Sequence, residues 1–118
     1  MAIHNELGKK GETAARLYLL SKGYEILFQN WRYGKYELDF ITSKQGKLIV
    51  VEVKTRSKPV IETSNVMSGR KEKNLIEAAN RYLQLQPNEL DCQIDLLILE
   101  MKKDFFNIIH IEHAIGLE

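Results

Sequence analysis

Proline is scarce in this chain, with 2 in 118 residues, and cysteine is scarcer, with 1. A single cysteine, Cys92, excludes an internal disulfide framework and suits a reducing cytosol. Its neighbours include no base that would activate a thiolate, so it reads as a small buried hydrophobe. Long apolar runs are missing too. LIVV and LLIL are far too short to cross a bilayer, and the start, MAIHNELGKKGE, lacks the apolar stretch of a signal peptide. The expectation is a cytoplasmic protein with no membrane partner. Neither charge dominates: 17 Lys and Arg against 16 Asp and Glu leave a net charge of +1, which announces no nucleic-acid partner by itself. Nothing resembles a P-loop, a zinc site or a Ser/His/Asp arrangement. Gly8 and Gly11 have no strand before them and make no dinucleotide fingerprint.

What is present suits one domain over residues 1–118. Apolar residues at 44% and charged residues at 28% are those of a globular chain able to bury a single core. Leu7, Ala14, Ala15, Tyr18 and Leu19 recur at helical spacing, predicting a helix from about 5 to 22 that Gly23 stops, with Tyr24 folding back. YEILFQNW, YELDFI and LIVVEVKT read as strands. SKPVIETSNVMSG reads as a loop, after which Ser68 can cap a second helix from about 69 to 85. That helix has an inner stripe of Leu75, Ile76, Ala79, Tyr82 and Leu83, and Pro87 closes it. QIDLLILE and FFNIIHIE are two late strands. The order is α-β-β-β-α-β-β, an α/β domain with a central mixed sheet.

Charge is distributed unevenly. Lys54, Arg56, Lys58, Arg70, Lys71 and Lys73 gather mid-chain, whereas Glu89, Asp91, Asp95, Glu100, Asp104, Glu112 and Glu118 make the end acidic. A solvated surface of mixed sign is the ordinary account of any one run. Basic residues grouped beside carboxylates are also what a phosphate backbone requires.

The strand LIVVEVKTR carries charge where a core strand should not. Side chains alternate, so Leu48, Val50, Glu52, Lys54 and Arg56 share one face, and Ile49, Val51, Val53 and Thr55 share the other. The second face reads as core. The first starts apolar and turns charged, as though that end opened into a cleft. In YELDFI, Glu37, Asp39 and Ile41 share a face. A glycine hairpin at TSKQGK with Lys44 to Lys47 in its loop pairs Ser43 with Leu48 and Ile41 with Val50. Asp39 then opposes Glu52, and Glu37 opposes Lys54. Carboxylates about 5 Å apart repel unless one is protonated or a cation lies between them. Oxygen ligands of this kind suit Mg²⁺ or Mn²⁺. A metal so held activates water and relieves charge on a phosphodiester, and a neighbouring lysine can orient the water or stabilise the transition state. The bland alternative is a solvated, salt-bridging E-x-K face.

LGKKGETAARLYLLSKGYEILFQNWR, YELDFI, LIVVEVKTR and RKEKNLIEAANRYL, in that order and spacing, resemble the YraN-like family. Its members are similar to archaeal Holliday-junction resolvases and share the restriction-endonuclease-like fold. The family's G-E pair is matched by Gly11 and Glu12, its acidic strand by residues 37 to 41, its V-E-V-K-T-R strand by residues 51 to 56, and its helix-opening lysine by Lys71. The resemblance implies a metal-dependent endonuclease acting on nucleic acid, with DNA that is branched or irregular as the substrate class. It implies Asp39 and Glu52 as metal ligands with the Val53 carbonyl, Lys54 as the catalytic lysine, and Glu12 reaching the site from the first helix. Without the family, Glu12 reads as a first-turn carboxylate favoured by the helix dipole. Two features depart from the family: Tyr36 replaces its glycine, and KPVIETSNVMSG replaces its F-G-x-P segment.

Arg56, Arg70, Lys71 and Lys73 are the candidate phosphate contacts, joined by Arg32 and by Trp31 as a base-stacking ring. Trp31 reads equally as an aromatic cap on the core. In HIEH, His110 and Glu112 share a face that His113 does not, which reads as an exposed edge. A non-catalytic nucleic-acid-binding module and a scaffold for a repair or uptake complex are the other function classes. A homodimer is compatible with all three.

Overall fold

Before its second helix the chain reverses three times, and each reversal uses residues in the left-handed backbone region. In the structure, a computed structural model describing residues 2–57 and 69–115, the elements are α1 (Ala2–Ser21), β1 (Glu25–Tyr33), β2 (Tyr36–Lys44), β3 (Lys47–Arg56), α2 (Gly69–Gln84), β4 (Cys92–Met101) and β5 (Phe106–Ile115). Gly23, at φ +88°, stops α1 as expected. Tyr24 donates its N–H back to the Leu19 carbonyl at 3.0 Å and buries its ring. Between β2 and β3, Gln45 and Gly46 have φ of 52° and 78°, which makes a two-residue turn matched to strand twist. The loop is tighter than the four residues expected, because Lys44 pairs with Lys47, yet Ser43↔Leu48 and Ile41↔Val50 keep the anticipated register. Lys58, the loop through Pro59, Ser64 and Asn65, the Ser68 cap and Glu118 lie outside the described residues.

The sheet order is β1-β2-β3-β4-β5. The first three strands form an antiparallel meander, α2 connects β3 to a parallel β4, and β5 returns antiparallel. This is the mixed sheet and α-β-β-β-α-β-β order expected of the restriction-endonuclease-like type. Both faces are buried. Ala15 and Leu19 of α1 pack on Phe40, Ile49, Val51, Leu97 and Leu99. Leu75, Ala78, Ala79 and Tyr82 of α2 pack on Leu38, Ile41, Leu48, Val50 and Ile94 on the other side. The face of β3 that turns charged is therefore core for its first half, since α2 covers it. α1 approaches β3 most closely at Gly11, which is buried; a Cβ there would run into the Thr55 side chain.

One irregularity positions the site. The β1–β2 ladder pairs Gln29↔Phe40 and Trp31↔Leu38 but skips Asn30 and Asp39 between them. Asn30 is left-handed, with φ 56°, a conformation that asparagine tolerates better than most residues. Phe40 then faces the α1 core, while Leu38 and Ile41, three residues apart, both face the α2 core. Strict alternation, which put Asp39 with Ile41 and Leu38 with Phe40, fails here because the strand kinks. The β2–β3 ladder also ends just short of it, at Phe40↔Val51, whereas β3 stays paired with β4 as far as Arg56↔Glu100.

Candidate metal and nucleic-acid site

Asp39 occupies the gap where β2 leaves β3. Leu48 donates its N–H towards the β4 side, to the Asp91 carbonyl, so the strand's two-residue period turns Val53 towards β2. No β2 carbonyl meets it. The Asp39 carboxylate does, accepting the Val53 N–H at Oδ2 over 2.8 Å. The N–H and C=O of one residue leave a strand on the same side, so the Val53 carbonyl opens onto the same gap. The anticipated opposition of Glu37 and Lys54 does not form. Glu37 instead pairs with Arg32 across β1 and β2, with an ion pair of 3.0 Å.

Glu52 reaches the site from the α2 face of β3 and is only 4% exposed. Its Oε2 lies 3.3 Å from Lys71 Nζ, and its buried Oε1 has no hydrogen-bond donor. Burial, then the neighbouring Asp39 charge, pushes the Glu52 carboxyl up to about 8, with Lys71 pulling the other way. Burial pushes Asp39 up as well, against the Val53 N–H and Lys71. Two carboxylates so placed cannot both remain ionised cheaply. A shared proton is one relief and a bound cation the other. The donor set fits a hard divalent ion such as Mg²⁺ or Mn²⁺: carboxylate oxygens, one of them unclaimed, and a carbonyl facing the same gap.

Two clefts meet at Asp39. One, of about 200 Å³, is lined by Glu52, Lys71, Tyr36 and Glu37 on the α2 side. The other, of about 430 Å³, is lined by Glu12, Lys9, Lys54 and Val53 on the α1 side. Lys54 and Glu52 therefore line different clefts, and the lysine against Glu52 is Lys71. Glu12 lies well inside α1, so the first-turn dipole account does not apply to it. Burial and the charges of Asp39 and Glu37 raise its pKa, opposed by a hydrogen bond with Asn30. Among the described residues no three His, Cys, Asp or Glu side chains form a metal-holding group, and Glu12 lines the cleft with Asp39. Tyr36, in the family's glycine position, stands at the rim of the smaller cleft, where a hydrogen bond to Glu77 raises its pKa.

The candidate phosphate contacts divide. Arg70 and Lys73 are exposed beside Lys71 on the first turn of α2. Arg32 is exposed but ion-paired with Glu37. Arg56 is half-buried, adjoins Glu100 across β3 and β4, and has its Nε sealed from solvent without a partner. Trp31 packs edge-on to Tyr82 of α2 at 5.3 Å, as a cap on the core.

HIEH lies on the edge strand β5 with Glu112 and His113 exposed, as expected, but the His110 side chain turns inward. Asp95 is fully buried and accepts hydrogen bonds from His110 Nε2 (2.7 Å), Gln93 Nε2 (2.9 Å) and the His113 N–H (3.1 Å). Tyr18 of α1 closes the network on His110 Nδ1 at 2.9 Å. The acid on the neighbouring strand QIDLLIL was the available signal. Cys92 is half-buried, and burial raises its thiol to about 11, which leaves it unreactive.

No helix among the described residues is long and apolar enough to cross a membrane. A solved structure of Pyrococcus furiosus SfsA in complex with Ca²⁺ superposes with a TM-score of 0.41 at 20% identity, over 98% of this chain. The chain spans 65% of that protein's length. UPF0102 proteins of Parabacteroides distasonis and Bacteroides thetaiotaomicron are each 39% identical over 115 residues, covering 97% of this chain and 95% of theirs. The UPF0102 protein FP2501 of Flavobacterium psychrophilum is 36% identical, covering 97% of both. The YraN-like resemblance holds at the level of family, and none of these names states an endonuclease. Residues 11–103 match the family's own pattern, and the chain belongs to the uncharacterised protein family UPF0102.

Proposed function

We propose that this chain is a divalent-metal-dependent endonuclease that hydrolyses phosphodiester bonds in nucleic acid, with branched or irregular DNA as its substrate class. The observation that carries this is the pairing of half-buried Asp39 with buried Glu52 at the parting of β2 and β3, with no donor on Glu52 Oε1. Asp39 is held in place by the Val53 N–H. Glu52 is fixed by burial and presents Oε1. Asp39, Glu52 and the Val53 carbonyl would hold a divalent cation, which would supply Lewis-acid relief of phosphate charge and lower the pKa of the attacking water. Lys54, in the open cleft with Asp39 and Glu12, orients that water or neutralises charge growing on the phosphate. Arg70 and Lys73 hold the flanking backbone, which sets affinity without reading sequence.

A second reading, a non-catalytic binding module, is favoured by one observation: Lys71 already neutralises Glu52, as a protein without metal would require. Incubation with Mg²⁺ or Mn²⁺ on a panel of duplex, single-stranded and branched DNAs separates the two. The nuclease cleaves at least one of them, and Lys54→Ala lowers that cleavage about a hundredfold while affinity changes little. Binding with steep salt dependence and no cleavage on any substrate would assign the chain to the module.

A further inference from the structure

Lys71 lies on the first turn of α2, is 54% exposed, and sets its ammonium 3.3 Å from a carboxylate whose own side chain is only 6% exposed. Lys71 lines the same cleft as Asp39 and Glu52, whereas Lys54 lines the other. The cation against Glu52 thus comes from α2 and not from the E-x-K strand. It stands against Oε2, close enough to repel any second cation brought to the same carboxylate, whose Oε1 has no hydrogen-bond donor. A half-exposed lysine on a flexible stem can swing towards solvent, whereas a buried glutamate cannot follow it.

We propose that Lys71 is a built-in competitor for the divalent ion, holding Glu52 in the metal-free protein and giving way when the ion enters. This rests on the metal-site reading above and adds to it a cause of weak metal affinity in the absence of nucleic acid. The expected size follows from charge. A divalent ion on the same carboxylate lies within a few ångströms of the Lys71 ammonium and is repelled by it, and solvent screening of the half-exposed lysine keeps the effect at about tenfold.

The test is calorimetric titration of the whole chain with Mn²⁺ alone, comparing the unaltered protein with Lys71→Met, Lys71→Gln and Lys71→Arg. Thermal melting checks that each variant is folded. The expected result is binding about tenfold tighter in the two neutral variants and unchanged in Lys71→Arg, with Asp39→Asn, Glu52→Gln abolishing it in every background. Neutral variants that bind no more tightly than the unaltered chain overturn the competitor role while leaving the metal site standing. Binding absent from the unaltered chain and from both neutral variants overturns both.

Discussion

Asp95 and Asp39 both lie on inner strands of the same sheet, yet only one has what a buried carboxylate needs. Asp95 receives three hydrogen bonds, from His110, Gln93 and the His113 N–H. Burial alone would push its pKa up, but those bonds outweigh it and hold the carboxyl below its ordinary value. At Asp39 burial outweighs the Val53 N–H and the pull of Lys71, and the pKa lies above its ordinary value. Low dielectric strengthens a satisfied network and penalises an unsatisfied one. The β4–β5 network ties α1 to the sheet through Tyr18. The Asp39 and Glu52 pair joins β2 to β3 through the Val53 N–H and β3 to α2 through Lys71, with no donor on Glu52 Oε1.

The largest expected difference is in activity. Asp39→Asn combined with Glu52→Gln should lower metal-dependent cleavage about a thousandfold or more, since the ion and its charge stabilisation go together. The same double variant should melt no lower than the unaltered chain, because like charges have been removed from a buried site. Cleavage that survives neutralisation of both carboxylates would place the chemistry elsewhere. Asp95 should behave in the opposite way. Asp95→Ala leaves three donors without their acceptor and should lower stability by about 3 kcal/mol, read from the urea midpoint at unchanged slope. Its cleavage per folded molecule should be retained. A loss under about 1 kcal/mol would show that water replaces the carboxylate easily.

Acid and base should separate the two sites further. Glu52 titrates at about 8 in the folded chain against 4.5 unfolded, so the native state holds the extra proton between those values. Stability contributed by that proton is complete below 4.5 and is lost as pH rises towards 8, by up to about 1.4 kcal/mol per pH unit. Asp95 has the opposite sign: its folded pKa is lowered from 3.8, so its contribution is present above that value and is lost as pH falls below it. Melting measured across pH should therefore decline on both flanks. Glu52→Gln should flatten the neutral-to-alkaline decline alone, and Asp95→Asn the acid one alone. A Glu52→Gln profile that still declines from 4.5 to 8 would mean another group carries that proton.

Much of this arrangement is legible in the chain. Gly46 between alternating strands fixes the β2–β3 register, and that register brings Asp39 to Glu52. Gly23 and the helical stripe of α1 are equally plain. What alternation could not reveal is the kink at Asn30 and Asp39, because YELDFI looks regular and only Asn30's tolerance of the left-handed region marks the place. The pairing of Lys71 with Glu52 is hidden for a different reason. Its approach to Glu52 depends on how α2 docks, whereas Lys54, two residues away in sequence, advertises itself and lines the other cleft. The inward turn of His110 is not legible locally, because its side-chain bond to Asp95 depends on how β5 pairs with β4 and on the register shift there.

The smallest expected effect asks whether α1 serves the two regions independently. Its middle third carries Glu12 to the Asp39 cleft, and its last third carries Tyr18 to the His110 network. Between helix and sheet, Gly11 lets α1 rest on Thr55. Gly11→Ala gains about 1 kcal/mol of helix propensity but forces a methyl into Thr55, and overpacking of that kind costs about 1–3 kcal/mol. The net expectation is a loss of about 1 kcal/mol, and adding Thr55→Ala should recover it, since the collision is with that side chain. Because the strain falls beside Glu12, cleavage should drop more than stability does. The acid limb of the pH–stability profile, which reports Asp95, should not move. A shift in that limb would mean that α1 moves as one rigid rod and that the two carboxylate regions are mechanically coupled through it.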